Sequence, residues 1–333
     1  MSRLAFARFT WGVLVYNLGV VLWGAYVRAT GSGAGCGSHW PLCNGEVVPR
    51  APSVETMIEY SHRVTSGIAL LLVVALPFLA RRVVPPGHRL RKVAWVTLVL
   101  MLLEAGIGAG LVLFELVADN ASAARAMFMA THLMNTFFLL AAITLTAWWA
   151  GGGAAPVRPF DRRIARLAGI SIAATILIGI SGAVAALGDT LFPATSLGDA
   201  LRQDLSASSH VLIQLRVLHP FLAVGGGFLL LMLVSAVRKT KPSATTRRWA
   251  NRLNLLVLIQ LAAGGINVLL LAPVWMQLVH LLLADLLWLS LILTVVCALA
   301  EPARERTTTE TSARLAPAAG RRPVSAASRT SHS

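Results

Sequence analysis

Charged residues are scarce in this chain. They make up 13% of its 333 residues, against roughly 25% in a soluble globular domain, which excludes a soluble globular enzyme. Three cysteines are too few for a disulfide-rich secreted scaffold or for a site that needs four cysteine ligands. Lysine and arginine outnumber the acidic residues by 29 to 14, so the net charge is +15. In a chain that is 56% hydrophobic, we interpret this excess as a membrane-topology signal and expect no nucleic-acid partner.

Long apolar stretches make up most of the sequence. A transmembrane helix needs about 20 mostly apolar residues, and the chain contains eight such stretches. The first is too long for a signal peptide and lacks a small-residue cleavage site, so we expect a retained helix. The sequence therefore predicts an all-α polytopic membrane protein with eight transmembrane helices in the lipid bilayer. The predicted spans are residues 9–28, 57–80, 93–114, 126–149, 165–187, 210–236, 253–272 and 275–299.

Lysine and arginine residues concentrate in alternate connecting segments. One set of segments, which includes both termini, holds most of them, whereas the other set holds Arg28, Arg50, Arg125 and Arg202 together with several acids. An excess of positive charge marks the cytoplasmic side of a membrane protein. We therefore expect both termini to lie in the cytoplasm and the 29–56 loop to lie outside.

The chain divides near a glycine-rich stretch at residues 151–156. Four predicted spans lie on either side, and in each half the second and the fourth span each carry one histidine. Internal repeats of this kind are common in polytopic membrane proteins. We therefore predict two pseudo-repeated four-helix bundles, residues 1–150 and 151–300. Residues 301–333 are rich in Ala, Ser, Thr, Arg and Pro and lack apolar periodicity, so we expect a disordered cytoplasmic tail.

The most informative polar residues are the histidines of the even-numbered spans, His62, His132, His219 and His280. Each lies near the outer end of its predicted helix, at a depth of about 9–15 Å. One interpretation is four separate hydrogen bonds between helices. The other, which we favour because all four share one depth, is axial ligation of haem iron at two sites, His62/His132 and His219/His280.

Small residues cluster on the odd-numbered spans. Glycine lets a backbone approach a flat ligand closely, although small residues also serve ordinary helix packing. By themselves the clusters favour packing, and beside the histidines they are compatible with a haem pocket. They comprise Gly106, Gly108 and Gly110 on span 3, Gly179, Ser181 and Gly182 on span 5, and Ala262, Ala263, Gly264 and Gly265 on span 7.

Glu59 lies three residues before His62, so the two side chains share one helix face with their Cβ atoms about 5–6 Å apart. A carboxylate there can orient the imidazole, act as a base, stabilise positive charge on a bound ring, or only accept a hydrogen bond. The second half has Arg216 at the matching position, and Pro220 where the first half has Arg63. An arginine suits a haem propionate and an electron-transfer or structural role, so we expect the two sites to do different work.

Cys36 and Cys43 lie in the predicted outer loop. The compartment outside is oxidising, and six intervening residues allow a disulfide. It would act either as a structural staple over the first-half site, which we favour, or as a thiol pair that passes electrons. Cys297 lies near the cytoplasmic end of the last span and is expected to be inert packing.

Other polar residues are expected to have structural roles. Glu104 and Asp285 lie within spans 3 and 8, and we interpret both as interhelical hydrogen-bonding groups. The remaining histidines lie in or near outer loops or on the cytoplasmic side, so we do not expect them to be ligands. These are His39, His88, His210 and His332.

Taken together, these segments resemble the haem A synthase family. The resemblance covers roughly residues 8–299. It is carried by Val27-Arg28-Ala29-Thr30-Gly31-Ser32-Gly33 leading into Cys36, by Trp40-Pro41-Leu42-Cys43, by Ile58-Glu59-Tyr60-Ser61-His62-Arg63, and by the histidines of spans 4, 6 and 8.

The resemblance implies an integral enzyme of a bacterial plasma membrane that oxidises the C8 methyl of haem O to a formyl group, giving haem A. It implies a haem O synthase as the source of the substrate, a terminal oxidase as the destination of the product and a quinone as an electron partner. It also makes Cys36 and Cys43 similar to the outer cysteine pair of that family. The implied site residues are Glu59, His62 and His132 with Arg63 for the substrate or product haem, and His219 and His280 with Arg216 for a haem b cofactor.

Two other functions remain open on the sequence. A two-haem b-type transmembrane cytochrome that moves electrons between quinone and an outer acceptor would account for the histidines, but not for Glu59 or the cysteine loop. A transporter of haem or a small solute is the other alternative. The intramembrane charges argue against a transporter, because they are few and lie on one side of the membrane, and they form no polar path across it.

Overall fold

The computed structural model describes residues 1–157, 159–206 and 208–301. Within these ranges the chain forms ten α-helices and one short 3-10 helix, without a β-strand. The predicted tail, residues 301–333, lies outside the described residues except for Glu301. The helices are α1 (Arg3–Ala29), α2 (Val54–Val83), α3 (Arg89–Leu113), α4 (Ala123–Ala150), α5 (Arg162–Leu191), α6 (Leu197–Leu205), α7 (Val211–Arg216), α8 (Leu218–Lys239), α9 (Ala244–Leu269) and α10 (Val274–Ala300).

The described helices form eight segments that are long and apolar enough to cross a membrane, which confirms the predicted eight-span fold. The sixth span consists of α7 and α8, which meet at Val217. The bounds differ most for the seventh span, because α9 begins at Ala244 rather than at residue 253. Its first turns carry basic residues such as Arg247 and Arg252, and these continue the helix beyond the apolar run that the membrane requires.

Short polar residues set the starts of several spans. Ser53, Ser122 and Ser243 each accept a hydrogen bond from the backbone N–H three residues further on, and Asp161 accepts bonds from the N–H groups two and three residues further on. These side chains satisfy N–H groups that the first helical turn leaves without a partner. The caps explain why the helices begin a few residues before the predicted apolar runs.

The spans form one bundle with α4 and α10 near its centre. Among the first four spans each helix packs against the next, and α4 packs back against α1; spans five to eight do the same, with α10 back against α5. The two groups meet along α1, α4, α5 and α10. Trp288 of α10 is buried there, where its ring stacks on Phe137 of α4 with centroids 5.1 Å apart and its Nε1 donates to the Phe137 carbonyl at 2.6 Å. A repeat of one half in the other stays a prediction.

The connections before the even-numbered spans carry the remaining ordered features. Because consecutive spans cross in opposite directions, the connections 30–53 and 192–210 lie at the same end of the bundle, which we call the loop end. The second connection contains α6, a nine-residue helix where the sequence predicts only loop. Ser196 caps its start by accepting a hydrogen bond from Asp199 N.

Candidate functional site

The histidines of the even-numbered spans lie towards the loop end of the bundle. They follow the first residues of their spans, Val54, Ala123, Val211 and Val274, by six to nine positions. At 1.5 Å per residue this is about 9–14 Å along each helix. The four imidazoles therefore lie at similar heights, each on a different span.

Each of these imidazoles packs against a glycine of the span that precedes its own. Three of the glycines belong to the predicted small-residue clusters, whereas Gly24 on α1 is a position that the sequence interpretation missed. The distances from a Cβ atom placed on the glycine to the imidazole Cε1 are 2.9 Å for Gly24–His62, 3.8 Å for Gly108–His132, 3.0 Å for Gly182–His219 and 3.2 Å for Gly264–His280.

In the second half the two histidines face each other. The ring centroids of His219 and His280 are 6.4 Å apart, with the ring planes at 88°. Ser181 Oγ lies 3.0 Å from His219 Nδ1, and Gln260 Nε2 lies 3.2 Å from His280 Nε2. Gln260 is therefore the side chain that a metal bound at that nitrogen would displace.

In the first half His132 lies beside a carboxylate. Glu104 Oε1 on α3 is 3.4 Å from His132 Nδ1, close enough to orient the ring although too poorly aligned for a hydrogen bond. Asn135 and Thr136 of α4 both donate to the Glu104 carboxylate. The interhelical hydrogen-bonding role predicted for Glu104 is confirmed.

Several buried polar atoms near the histidines have no hydrogen-bond partner among the described residues. They include the Nδ1 atoms of His62, His132 and His280, and both carboxylate oxygens of Asp285. The interhelical hydrogen bond predicted for Asp285 is therefore absent among the described residues. Imidazole nitrogens without protein partners fit residues that ligate a bound group.

The second pair has the separation that one bound metal requires. Two imidazoles on opposite sides of a metal have centroids about 6 Å apart, because each metal–nitrogen bond is about 2 Å long and each ring nitrogen lies about 1 Å from the ring centre. No group of three or more His, Cys, Asp or Glu that could hold a metal ion occurs in the described ranges. Haem iron does not need such a group, because the porphyrin supplies four nitrogens and the protein supplies only the remaining one or two ligands. The residues present fit haem.

The cysteine loop is fastened to α2 beside His62. Cys36 and Cys43 form a disulfide. Glu59 Oε2 accepts a 2.7 Å hydrogen bond from Cys36 N, and Glu59 Oε1 forms an ion pair with Arg63. Arg63 Nη1 also donates to the carbonyl oxygens of His39 and Leu42, both at 2.5 Å. The buried carboxylate and the guanidinium therefore hold the disulfide-closed loop over the first-half site.

Arg216 holds a different element at the second-half site. Its guanidinium donates to Asp189 of α5 at 2.9 Å and to Asp204 of α6 at 2.6 Å. Arg216 therefore joins both α5 and α6 to the start of the sixth span. Arg28, predicted as an outer-loop residue, instead lies in the last turn of α1.

Other predicted positions have structural roles. Nδ1 of His88 accepts a hydrogen bond from Leu90 N at the start of α3, and Nδ1 of His210 accepts one from Leu212 N at the start of α7. Partial burial lowers the pKa of His88, with the charges of nearby arginines acting in the same direction. Cys297 is buried and free. His332 lies outside the described residues.

The sequence model of the COX15-CtaA family, described as cytochrome oxidase assembly protein, matches residues 7–292. The chain belongs to this family. Membership confirms the predicted resemblance, and it agrees with the eight apolar spans of an integral membrane protein.

Curated relatives of this chain carry two different names. A Thermus thermophilus protein named Protoheme IX farnesyltransferase is 51% identical over 304 residues, which cover 91% of this chain and 50% of that protein. The chain thus spans about half the length of that relative. Proteins named Heme A synthase match shorter stretches, with 43% identity over 114 residues in Exiguobacterium sp. (34% of this chain, 37% of that protein) and 41% over 103 residues in Alkalihalophilus pseudofirmus (31% and 33%).

Some residues that contact the four histidines could be recognised from the sequence, and others could not. Gly24 follows the same small-residue pattern as the glycines of spans 3, 5 and 7, so that pattern could have been extended to span 1. Gln260 stands out as an uncharged polar residue in an apolar span. The proximity of Glu104 to His132 had no sequence signal, because the two residues lie on different helices.

Proposed function

We propose that this chain is a haem A synthase, which oxidises the C8 methyl of haem O to a formyl group. The observation that carries the proposal is the arrangement of the four histidines, each seated on a glycine, at similar heights in a member of the cytochrome oxidase assembly family. Similarity to bacterial proteins named Heme A synthase supports the same assignment.

The two halves are proposed to hold different haems. His62 and His132 would bind the substrate haem, and His219 and His280 would bind haem b. Support comes from the charges beside each pair. A buried carboxylate, Glu59, lies three residues before His62, whereas Arg216 stands three residues before His219. When bound, haem b supplies one-electron transfer.

Three residues of the first half are proposed to orient a histidine, to accept a proton and to hold the loop that covers the site. Glu104 orients His132, because a carboxylate beside the outer ring nitrogen of a metal-bound histidine fixes the ring. Glu59 accepts one hydrogen bond at Oε2, from Cys36 N, and this oxygen keeps a lone pair that can take a proton from the substrate region. The loop held by Arg63 covers the site and keeps bulk water from it.

Chromatographic identification of the haems extracted from the purified protein tests this function. We expect haem b together with haem O or haem A from cells that make haem O. Haem b alone from such cells would favour the two-haem b-type cytochrome. A protein without haem under all conditions would favour the transporter and overturn the proposal.

We also propose that this chain works beside a protoheme IX farnesyltransferase, the enzyme class that would supply haem O. The Thermus thermophilus relative supports this partner, because a protein with that name contains a region matching 91% of this chain and as much again that this chain does not match. Covalent joining of two proteins keeps the product of one close to the site of the other.

Co-purification from native membranes tests the partnership. We expect a tagged form of this chain to retain the farnesyltransferase in mild detergent, and a tagged unrelated eight-span protein not to do so. Separate elution of the two proteins would contradict the pairing. Incubation of this chain alone with haem b and farnesyl diphosphate should yield no haem O; if haem O forms, the chain is itself the farnesyltransferase.

The predicted orientation remains part of the proposal. Basic residues gather at the end of the bundle opposite the loop end, for example Arg81 and Arg82 at the end of α2 and Arg89 at the start of α3. This distribution favours cytoplasmic termini in the plasma membrane. Alkaline phosphatase fused after residue 48 should be active, and fused after residue 86 it should be inactive; the reverse result would invert the topology.

A further inference from the structure

The four histidine–glycine contacts repeat with the same order of helices. In each case an even-numbered span supplies the imidazole and the span before it supplies the glycine. The contact is closest for Gly24–His62 and Gly182–His219, intermediate for Gly264–His280 and loosest for Gly108–His132. A Cβ at 2.9 to 3.2 Å from a ring atom requires the ring to move, whereas one at 3.8 Å makes an ordinary contact.

Gly110 and Gly179 on these helices also lie against rings, those of Phe128 and Phe137, but close contact is not general to the glycines of these helices. The same helices carry glycines at which an added Cβ would meet nothing within 4 Å, namely Gly19 on α1, Gly106 on α3, Gly169 on α5 and Gly265 on α9. The glycines under the imidazoles are therefore distinguished from other glycines on their own helices by what they touch.

The glycine surfaces matter because only His219 has a hydrogen-bond partner at Nδ1 among the described residues, although Gln260 also contacts His280 Nε2. Nδ1 of His62 and of His280 is buried without a partner among the described residues. Ser181 contacts His219 Nδ1, and it stands directly before Gly182, so the hydroxyl and the glycine surface act from the same turn of α5. A ring without a hydrogen-bond partner keeps its rotation about χ2 unless a neighbouring surface restricts it.

We propose that Gly24, Gly182 and Gly264 are positioning residues that set the height and rotation of the imidazoles bound to haem iron. This inference rests on the proposed function, because it requires the histidines to be haem ligands. A methyl group at any of the three positions would tilt or displace the ring by a few tenths of an ångström. Such a change alters the field of the axial ligand, through which a protein tunes a haem.

Alanine substitutions test the proposal with controls on the same helices. Gly24→Ala is compared with Gly19→Ala, Gly182→Ala with Gly169→Ala, and Gly264→Ala with Gly265→Ala. Gly108→Ala is a further control, because its Cβ would lie 3.8 Å from His132. Alanine favours a helix over glycine, and the matched controls carry the same backbone effect.

The readouts are properties of the bound haems and do not depend on turnover. They are the haem-to-protein ratio, the electron paramagnetic resonance spectrum of the low-spin ferric haem and the midpoint potential from a redox titration. We expect Gly182→Ala and Gly264→Ala to shift the spectrum and the potential of haem b and to weaken its binding by about tenfold. Gly24→Ala should change only the haem of the first half, and all four controls should match the unsubstituted protein.

The outcomes separate this inference from the proposed function. If the unsubstituted protein holds no haem, the proposed function fails and the inference fails with it. If it holds haem, but the contact variants match their controls, the positioning role is wrong and the proposed function stands. Equal haem loss in contact variants and controls would assign the effect to helix packing and overturn the role. At Gly264 an added Cβ would lie 3.2 Å from the His280 ring. Gly264→Ala therefore still tests the proposal if the variants at the two tighter contacts do not fold.

Discussion

Arg28, in the last turn of α1, donates a 2.8 Å hydrogen bond from Nη2 to Gln277 Oε1 on α10, 249 positions away. Its Nη1 donates at 2.7 Å to both the Ala186 carbonyl and Thr190 Oγ1 of α5. A single partly buried guanidinium thus joins the first span to the fifth and the eighth. Hydrogen bonds from a charged group are among the stronger ones in proteins, so Arg28 is a principal polar link between the two halves.

Arg28→Ala should lower the thermal stability of the protein in detergent. Hydrogen bonds to a charged group contribute about 1.5–3 kcal/mol each, so losing this set should cost at least about 3 kcal/mol. Arg50→Ala is the matched control, because the Arg50 side chain is 91% exposed and pairs only with nearby Glu46. Thermal unfolding followed by size-exclusion chromatography measures the difference. Equal unfolding temperatures for the two variants would refute the linking role.

Glu104→Ala should weaken haem binding in the first half. The substitution removes the carboxylate beside His132, to which Asn135 and Thr136 also donate. Loss of a group that orients a metal ligand typically costs 10- to 100-fold in affinity. Glu104→Gln keeps an acceptor oxygen and should lose less, and Glu55→Gln, at an exposed position, should lose nothing. Haem titration of the purified variants gives the affinities, and an unchanged value for Glu104→Ala would contradict this role.

Glu59→Ala should leave haem bound and stop formyl production. The carboxylate is the acidic group nearest in sequence to His62, and its removal takes away the proposed proton acceptor without removing a histidine. Glu59→Gln still offers an oxygen to Cys36 N, so it separates the fastening of the loop from the proton-accepting role. Extracted haems quantified by chromatography report both properties. Full haem A production in the Gln variant would remove the catalytic role of Glu59.

His219→Ala or His280→Ala should deplete haem b before the substrate haem. The reason is local, because these two rings face each other 6.4 Å apart in the second half. His62→Ala and His132→Ala should have the converse effect. His88→Ala serves as the control, since this histidine caps α3 away from the four-histidine layer. Loss of both haems to the same degree in all four variants would contradict separate sites.

Replacement of both Cys36 and Cys43 by serine should destabilise the protein more than it impairs the reaction. A short disulfide loop of this kind contributes about 2–3 kcal/mol, and here it also presents the His39 and Leu42 carbonyls to Arg63. We therefore expect a lower unfolding temperature with partial activity at low temperature. A variant with unchanged stability and no activity would instead favour a cysteine pair that passes electrons.

The sequence by itself determined the eight spans, the histidine on each even-numbered span and the candidate cysteine pair. Hydropathy along the chain encodes which segments enter a membrane, and the distance of a histidine from the end of its span encodes its depth. These properties are local, so no knowledge of helix packing was required for them.

Only the tertiary structure decided which side chains meet. These contacts depend on the rotation of each helix about its axis and on the close approach of its neighbours. Examples are the contacts of His62 with Gly24, of Glu104 with His132 and of Arg28 with Gln277. In an apolar span the hydrophobic pattern is nearly uniform around the helix, so it does not encode that rotation. For the same reason the sequence could not show that Asp285 lacks a partner or that Arg216 binds the carboxylates of α5 and α6.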